Sequence, residues 1–159
     1  MLEPYPEPGQ KLTYQTKSAV YFYLGAFDAL GNFSAHSIQI WGKVFPTVEH
    51  AFQWKKFESN NSEWAEKILK AKSAWLARKL GREGAKMRND WRDIRISIMT
   101  DIIRAKFSQH EDAKQVLLST NNKKIIENSP IDNYWGIGST GKGENQMGKI
   151  LAKVRNGLK

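Results

Sequence analysis

The chain has 159 residues, which suits one domain around a single apolar core, and its 40% hydrophobic and 26% charged residues are ordinary for a globular protein. It contains no cysteine, which excludes disulfide bridges and thiolate metal ligands, and it has no apolar run near the ~18 residues of a membrane-spanning helix. Lysine and arginine number 25 against 16 acidic residues, and the net charge of +9 favours a phosphate-bearing ligand, although a merely solubilising surface has the same charge.

The predicted elements begin after a stretch rich in proline. Residues 1–17 are predicted to form a flexible tail with little to bury, and residues 18–159 to form the domain. The start lacks the basic and apolar segments of a signal peptide, so a cytoplasmic protein is expected, or a nuclear one if the source is eukaryotic. An apolar run from Ala19 to Leu24 predicts a strand, and residues 28–32 predict a turn.

Next, Ile38, Ile40 and Val44 flank Trp41-Gly42-Lys43 in a pattern typical of a hairpin. Thr47, Ser62 and Ser73 are predicted helix caps, and Gly81 is predicted to end the third helix. Helical spacing of apolar residues predicts helices at about 47–57, 62–71, 73–80, 90–107, 111–118 and 147–158, with a brief strand at 123–127. The pattern indicates a helix-rich α+β domain with a small β-sheet.

Three segments contain residue types that perform chemistry. In the first, residues 45–57, Glu49, Gln53 and Lys56 fall on one stripe of the predicted helix. An ionised carboxylate there would activate water or stabilise a positively charged sugar. A surface stripe with a salt pair explains the same spacing.

The second segment is the basic run from Arg82 to Arg92, which precedes a long helix and contains Trp91. Its charges suit phosphate and its tryptophan suits stacking, but a solvated loop and a core tryptophan are equally consistent with the pattern. The third segment, residues 132–148, has five glycines in 13 residues directly before a helix, as a phosphate-binding loop would. It does not fit a dinucleotide fold, because no further strand with an acidic residue follows it. It does not fit a P-loop either, because Gly143 stands where the P-loop has serine or threonine.

Metal and serine chemistry find little support in the sequence. The three histidines lack the spacing of metal ligands, and there is no nucleophile-elbow motif. We therefore expect no metal and no cofactor.

These segments and Asn32-Phe33-Ser34 occur in an order that resembles the YbiA-like NADAR family. The family pattern places an N-F-S element first, then W-P-T-x-E-H-x-F-Q-x-x-K-F, a basic stretch ending in tryptophan, and D-x-x-W-G-x-G-x-x-G-x-G-x-N-x-x-G. The resemblance spans roughly residues 20–157, and its clearest departure is Phe45 in place of the first tryptophan.

The resemblance implies a compact α+β fold and hydrolysis of a ribose C1–N bond without a cofactor. Carried over position by position, it implies catalytic roles for Glu49, Lys56 and Asp132. The implied substrate contacts are Asn32, Phe33, Ser34, Gln53, Arg82, Trp91, Trp135, Gly136, Gly138, Asn145 and Gly148.

Two substrate classes follow from the resemblance: ADP-ribose attached to guanine, free or in DNA or RNA, and the ribosylamino-pyrimidine phosphates of early riboflavin synthesis. We expect Glu49 to act as base or stabiliser and Asp132 to hold ribose hydroxyls or assist proton transfer. Lys56 is an acid, a phosphate contact or an amine that captures the opened sugar. The alternatives are a non-catalytic ADP-ribose-binding module and a basic nucleic-acid-binding protein. The sequence indicates no membrane partner, and it leaves the oligomeric state open.

Overall fold

The computed structural model describes residues 12–23 and 28–158 and confirms the predicted α+β class. Its helices are α1 (Val48–Lys55), α2 (Ser62–Leu69), α3 (Ala74–Glu83), α4 (Trp91–Gln109), α5 (Glu111–Ser119) and α6 (Gln146–Gly157), with a short 3-10 helix at Asp28–Leu30. Its strands are β1 (Tyr14–Gln15), β2 (Ala19–Phe22), β3 (Ile38–Ile40), β4 (Lys43–Phe45) and β5 (Lys124–Glu127).

The chain forms two compact units. The terminal unit is built from the chain up to Gly31 and from Asp112 onward, and the central unit comprises Asn32–Glu111. The three segments with chemistry-bearing residues are therefore divided: the α1 stripe and the basic run belong to the central unit, and the glycine-rich loop belongs to the terminal unit.

The terminal unit contains a three-stranded sheet in the order β1-β2-β5. β2 pairs antiparallel with β1 and parallel with β5, where Ala19 lies opposite Lys124. Val20, Phe22 and Ile125 are buried on one face of the sheet. Helix α6 packs against β5 with its predicted apolar face, since Met147, Ile150, Leu151 and Val154 are all buried.

In the central unit, β3 and β4 form the predicted hairpin. Its two turn residues, Trp41 and Gly42, both have positive φ (52° and 72°), as the tight turns that match the twist of paired strands require. The Trp41 ring stacks on Trp54 of α1, with 6.1 Å between ring centroids. The hairpin thereby covers one side of α1.

Helix α1 is the centre of its unit, because α2, α3 and α4 all pack against it. Every residue from Val48 to Trp54 is buried, so α1 has no solvent face over that length. This position excludes the surface-stripe interpretation of Glu49 and Gln53, which are only 3% and 5% exposed.

Two predicted helix ends are wrong. Gly81 does not end α3, which continues to Glu83 with Gly84 as its cap. A Cβ on Gly81 would lie 1.9 Å from the Gln53 side chain, so glycine stands there for the close packing of α3 on α1. The cap of α2 is Asn61 and not Ser62, because the Asn61 side chain accepts the Trp64 amide hydrogen at 3.2 Å.

The predicted tail extends over residues 1–17, and residues 1–11 lie outside the described residues. Its last part is ordered: Leu12 is buried and Tyr14 and Gln15 pair with β2. Leu24, the predicted end of the first strand, also falls outside the described residues. No helix in the described ranges is both long and apolar enough to cross a membrane.

Candidate functional site

Helix α1 places the first candidate, Glu49, in its first turn. The side chain of Thr47 caps the helix by accepting the His50 amide hydrogen at 3.3 Å, which confirms the predicted cap. The Glu49 amide donates to the backbone oxygen of Asn32 at 3.1 Å. The first turn of α1 is therefore joined to the segment that begins Asn32-Phe33-Ser34.

The Glu49 carboxylate is held by two neighbours. Gln53 Nε2 donates to Glu49 Oε1 at 2.7 Å, so the predicted stripe is confirmed as a direct contact one turn apart. Arg78 Nε lies 3.6 Å from the same oxygen. Arg78 therefore supplies a positive charge and Gln53 a hydrogen bond, and both contacts hold the carboxylate in position.

Lys56 caps the C-terminal end of α1 and lies over two aromatic rings. Its Nζ is 5.7 Å from the Phe52 ring centroid and 5.8 Å from that of Trp91. Burial lowers the pKa of the Lys56 amine from 10.5 to about 8, and the Glu49 carboxylate opposes this shift. The positive charges of Arg82, Arg78 and Arg95 lower the pKa further. A sizeable fraction of this amine is therefore neutral near pH 8.

The sequence analysis missed two of these cations, Arg78 and Arg95. A usable signal existed, since Arg78 is four residues before Arg82 on α3 and Arg95 is four residues after Trp91 on α4, spacings that put each pair on one helix face. Their charges and that of Arg82 act on the Lys56 amine, as does the Glu49 carboxylate, so this region holds four basic groups and one buried carboxylate. We call Glu49, Lys56, Arg78, Arg82 and Arg95 the α1 cluster.

Phe33 and Trp91 are the aromatic candidates of the central unit. Phe33 is 39% exposed, and the Arg78 guanidinium lies 5.2 Å from its ring centroid. Trp91, in contrast, is buried and packs on Phe52 with 4.8 Å between ring centroids. Phe33 therefore offers a stacking surface to a ligand, whereas the Trp91 ring packs with Phe52 below the Lys56 amine.

Two buried acceptors beside Glu49 have no hydrogen-bond partner within the described part of the chain, Gln53 Oε1 and Asn32 Oδ1. Leaving such an atom unpaired costs roughly 1–3 kcal/mol. Both atoms are thus suited to accept a hydrogen bond from a hydroxyl or amide of a ligand or from water, as the predicted roles of Gln53 and Asn32 require.

Ser34, a predicted substrate contact, has hydrogen-bonding partners inside the central unit. Its Oγ accepts a hydrogen bond from Lys106 Nζ at 2.6 Å and lies 3.0 Å from His36 Nδ1. Ser34 is 2% exposed and Lys106 is fully buried. The hydroxyl therefore satisfies a buried ammonium group in the core of the central unit.

The third segment is a loop of the terminal unit in which Asp132 organises the backbone. Asp132 Oδ1 accepts the amide hydrogens of Tyr134 and Trp135 at 2.9 and 2.7 Å, and the Asp132 amide donates to Ser129 Oγ. The partly exposed Trp135 ring meets Tyr134 edge-on at 5.0 Å. One oxygen of this predicted catalytic carboxylate thus holds the turn that positions Trp135.

The glycines of this loop allow the chain to pack on itself. A Cβ on Gly136 would lie 2.6 Å from the Glu127 carbonyl oxygen, and one on Gly148 would lie 2.0 Å from that of Ile125. Gly138 has a positive φ of 64°. Hydrogen bonds to loop carbonyls already engage the amides of Gly141, Gly143, Glu144, Asn145, Gln146 and Met147. These amides are committed within the loop, in contrast to the predicted phosphate-binding role.

Asn145 joins α6 to β5. Its Oδ1 accepts the Glu127 amide hydrogen and its Nδ2 donates to the Ile125 carbonyl oxygen, both at 2.9 Å. The residue adopts a left-handed conformation (φ 52°) at the start of α6. Both polar atoms of the Asn145 side chain, a predicted substrate contact, are therefore hydrogen-bonded to the backbone of β5.

In the remaining basic segment, Arg88 is paired with acidic neighbours. Arg88 Nε lies 2.6 Å from Asp90 Oδ1, and the Arg88 amide donates to the Lys56 carbonyl oxygen at 2.9 Å. This contact ties the loop to the end of α1. In the described ranges there is no group of three or more histidine or acidic side chains that could hold a metal ion.

Comparison with known proteins identifies the family. A family model described as the NADAR domain matches residues 14–159. N-glycosidase YbiA of Escherichia coli K12 is 33% identical over 157 residues, which cover 96% of this chain and 97% of YbiA. The NMR structure of E. coli YbiA has a TM-score of 0.81 and covers 92% of this chain and 88% of its own.

Two further relatives carry informative names. N-glycosidase Npun_R5314 of Nostoc punctiforme is 35% identical over 144 residues, covering 88% of this chain and 92% of that protein. Riboflavin biosynthesis protein VVA0006 of Vibrio vulnificus is 39% identical over 130 residues, covering 81% of this chain and 35% of that longer protein.

Proposed function

The chain belongs to the NADAR family and is an N-glycosidase, and from this premise we propose that it releases ADP-ribose from ADP-ribosylated guanine. The observation that supports this substrate class best is the α1 cluster, in which the charges of three arginines and of one buried carboxylate all act on Lys56 and Arg78 lies 3.6 Å from that carboxylate. A pyrophosphate-bearing sugar needs both kinds of group: cations for its phosphates and a carboxylate for its ribose.

The reaction breaks the bond between ribose C1 and the guanine nitrogen. Water supplies the oxygen that bonds to C1, one of its protons goes to the leaving nitrogen, and the sugar gains positive charge in the transition state. Glu49 suits this step because its ionised carboxylate stabilises that charge and accepts a proton from the attacking water. Gln53, bonded to Glu49 Oε1 at 2.7 Å, holds the carboxylate in place.

Lys56 fits two roles that differ in protonation state. As an ammonium ion it donates a proton to the leaving nitrogen or contacts a phosphate. As a free amine it adds to C1 and displaces the guanine nitrogen, which leaves as the protonated amine; the ribose ring opens to give a Schiff base between Lys56 and C1, and water then hydrolyses it to free the sugar. The pKa of about 8 makes both forms available near neutral pH.

The other cations suit the phosphates. Arg78 and Arg82 project from one face of α3, and Arg78 also lies against the exposed Phe33 ring. Guanidinium groups bind phosphate oxygens in a bidentate manner, and an aromatic face stacks a purine. We assign Asp132 a supporting role, because its Oδ1 sets the backbone of Trp135, a second stacking surface.

A second candidate substrate is a ribosylamino-pyrimidine phosphate of early riboflavin synthesis. The name of the Vibrio vulnificus relative, a riboflavin biosynthesis protein, favours it. The same bond would be cleaved with release of ribose 5-phosphate. One phosphate in place of two would make less use of the arginines of the α1 cluster.

The test uses a DNA oligonucleotide carrying one ADP-ribosylated guanine, incubated with wild type and with Glu49→Gln. Mass spectrometry should detect free ADP-ribose and restored guanine with wild type, and neither product with the variant. Glu66→Gln, at a surface glutamate of α2, serves as the matched control and should act as wild type does. Release by Glu49→Gln at the wild-type rate would overturn the assignment of Glu49, and hydrolysis of the riboflavin intermediate alone would overturn the substrate.

A further inference from the structure

The terminal unit contains a groove with a volume of about 680 Å³. The start of β5, the exposed side of α6 and the loop between residues 141 and 145 line it. Its walls include no residue of the α1 cluster and neither Asp132 nor Trp135. Lys123 and Lys124 mark the beginning of β5, whereas Asp132 follows the end of that strand. The groove is thus a separate feature from the residues assigned to bond cleavage.

The lining of the groove is strongly basic. It contains Lys123, Lys124, Lys149 and Arg155, against a single acidic residue, Glu144. The side chains of Lys124 and Lys149 are exposed. Two secondary-structure elements therefore direct positive charge toward one space, as a site for a polyanion does.

Arg155 provides an independent sign of an anionic ligand. It is 5% exposed, and its Nη1 donates to Thr120 Oγ1 and to the Lys123 carbonyl oxygen, both at 2.8 Å. These partners are neutral, and its Nε is buried without a hydrogen-bond partner in the described ranges. Burial lowers the pKa of this guanidinium. A positive charge buried beside a groove with only neutral partners is stabilised when an anion occupies that groove.

One glycine at the edge of the groove, Gly141, leaves the backbone accessible. Gly141 is exposed, has a positive φ of 70°, and has no atom within 4 Å of the position a Cβ would take. Gly143 also lines the groove. Because Gly141 has no side chain, a bulky ligand can approach the protein backbone here more closely than it could approach a position that carries a side chain.

We propose that this basic groove binds the sugar-phosphate backbone of a nucleic-acid strand, so that the enzyme holds DNA or RNA that carries the modified base. The inference deepens the proposed function and rests on it for its purpose, but the binding itself does not depend on catalysis. A strand is favoured over a single nucleotide because the lysines that line the groove stand at two elements, β5 and α6, an arrangement that suits successive phosphates.

The test measures binding of a labelled, unmodified DNA strand of about 12 nucleotides by fluorescence anisotropy over a range of salt concentrations. The variant is Lys124→Glu with Lys149→Glu, both at exposed positions. The matched control is Lys70→Glu with Lys72→Glu, which changes the net charge equally at exposed positions of the central unit. Melting followed by circular dichroism verifies that all three proteins are folded.

We expect the groove variant to bind the strand at least about tenfold more weakly and to lower the slope of log affinity against log salt by about 2, and the control to change affinity less than about threefold. Equal losses in the two variants, or none in the groove variant, would overturn the proposal. The binding of AMP is measured in the same way. If AMP binds wild type as tightly as the strand does, and the groove variant loses AMP binding, the groove binds single nucleotides and the strand proposal fails.

Hydrolysis of a free ADP-ribosylated guanine nucleotide separates this inference from the proposed function. The groove variant should keep the wild-type kcat and KM for that small substrate and show a raised KM for the modified strand. A protein that hydrolyses neither substrate but still loses strand binding in the groove variant would contradict the proposed function alone.

Discussion

The α1 cluster and the glycine-rich loop are the two most distinctive segments of the sequence, yet they use their polar groups in opposite ways. In the loop, Asp132 and Asn145 satisfy backbone groups of their own unit. Around α1, Gln53 Oε1 and Asn32 Oδ1 are buried without a partner among the described residues, and the pKa of Lys56 is displaced. Two motifs of equal prominence can thus differ in kind, since one maintains a backbone shape and the other keeps polar groups available for a ligand.

The largest expected effect contrasts the two carboxylates. Glu49→Gln should lower kcat about a thousandfold, equivalent to about 4 kcal/mol in the barrier, because an amide neither accepts the proton from water nor stabilises the sugar cation. Asp132→Asn should lower kcat less than about tenfold, because its amide oxygen still accepts the two backbone hydrogens. Single-turnover release of ADP-ribose measures both. Equal losses would make Asp132 a catalytic partner, as the family resemblance implied.

The next prediction tests the loop as architecture. Gly148→Ala would bring a methyl group within 2.0 Å of the Ile125 carbonyl oxygen, so we expect it to destabilise the protein by about 3 kcal/mol or more. Gly157→Ala, also in α6, has no atom within 4 Å and should change stability by less than about 1 kcal/mol. Urea denaturation compares the two. An unchanged stability for Gly148→Ala, with activity lost, would instead favour the predicted ligand contact.

The third prediction uses pH. The pKa of Lys56 is about 8 in the folded protein against an ordinary value of 10.5, so between these values the unfolded chain binds more protons and stability rises with pH. Relative to Lys56→Met, wild type should gain on the order of 2 kcal/mol between pH 7.5 and pH 10. Urea denaturation of both proteins at the two pH values gives the difference. A constant difference would mean that Lys56 is well solvated.

The smallest expected effect concerns the support of Glu49. In Gly81→Ala the new methyl group would lie 1.9 Å from Gln53 Oε1, so the Gln53 side chain must move away and its hydrogen bond to Glu49 is lost. We expect kcat to fall about tenfold, or about 1.4 kcal/mol. Placed on a Gln53→Ala background, the same substitution should cause no further loss. Additive losses would show that Gly81 acts by another route.

The sequence predicted those features of the fold that have local signals. Thr47 and Ser73 cap helices because a hydroxyl accepts an amide hydrogen three residues later, and the α1 stripe follows from helical periodicity alone. The two-residue strand β1 has no such signal, because its pairing with β2 defines it. Gly81 was misassigned for the same reason, since the contact that requires a glycine is made with another helix.

Residues of the candidate site were predictable where they belong to a sequence motif. They were less predictable where their role depends on contacts with residues distant in the sequence. Glu49, Gln53 and Lys56 were found from spacing, whereas Arg78 was overlooked although it shares a helix face with Arg82, and its 3.6 Å approach to Glu49 identified it. Ser34 was predicted to contact substrate, but it satisfies the buried Lys106. Sequence patterns identify a polar residue, and only packing determines whether its hydrogen bonds are already used.

The parallel pairing of β2 with β5 has a consequence for the order of folding. Ala19 pairs with Lys124 although the whole central unit lies between them in the sequence. Closing so long a loop costs conformational entropy, so this pairing forms slowly. The helices of the central unit lie within a continuous stretch that is synthesised before β5. During synthesis β2 therefore exposes an unpaired edge until residue 127 emerges, and this interval is when the nascent chain is most exposed to aggregation through that strand.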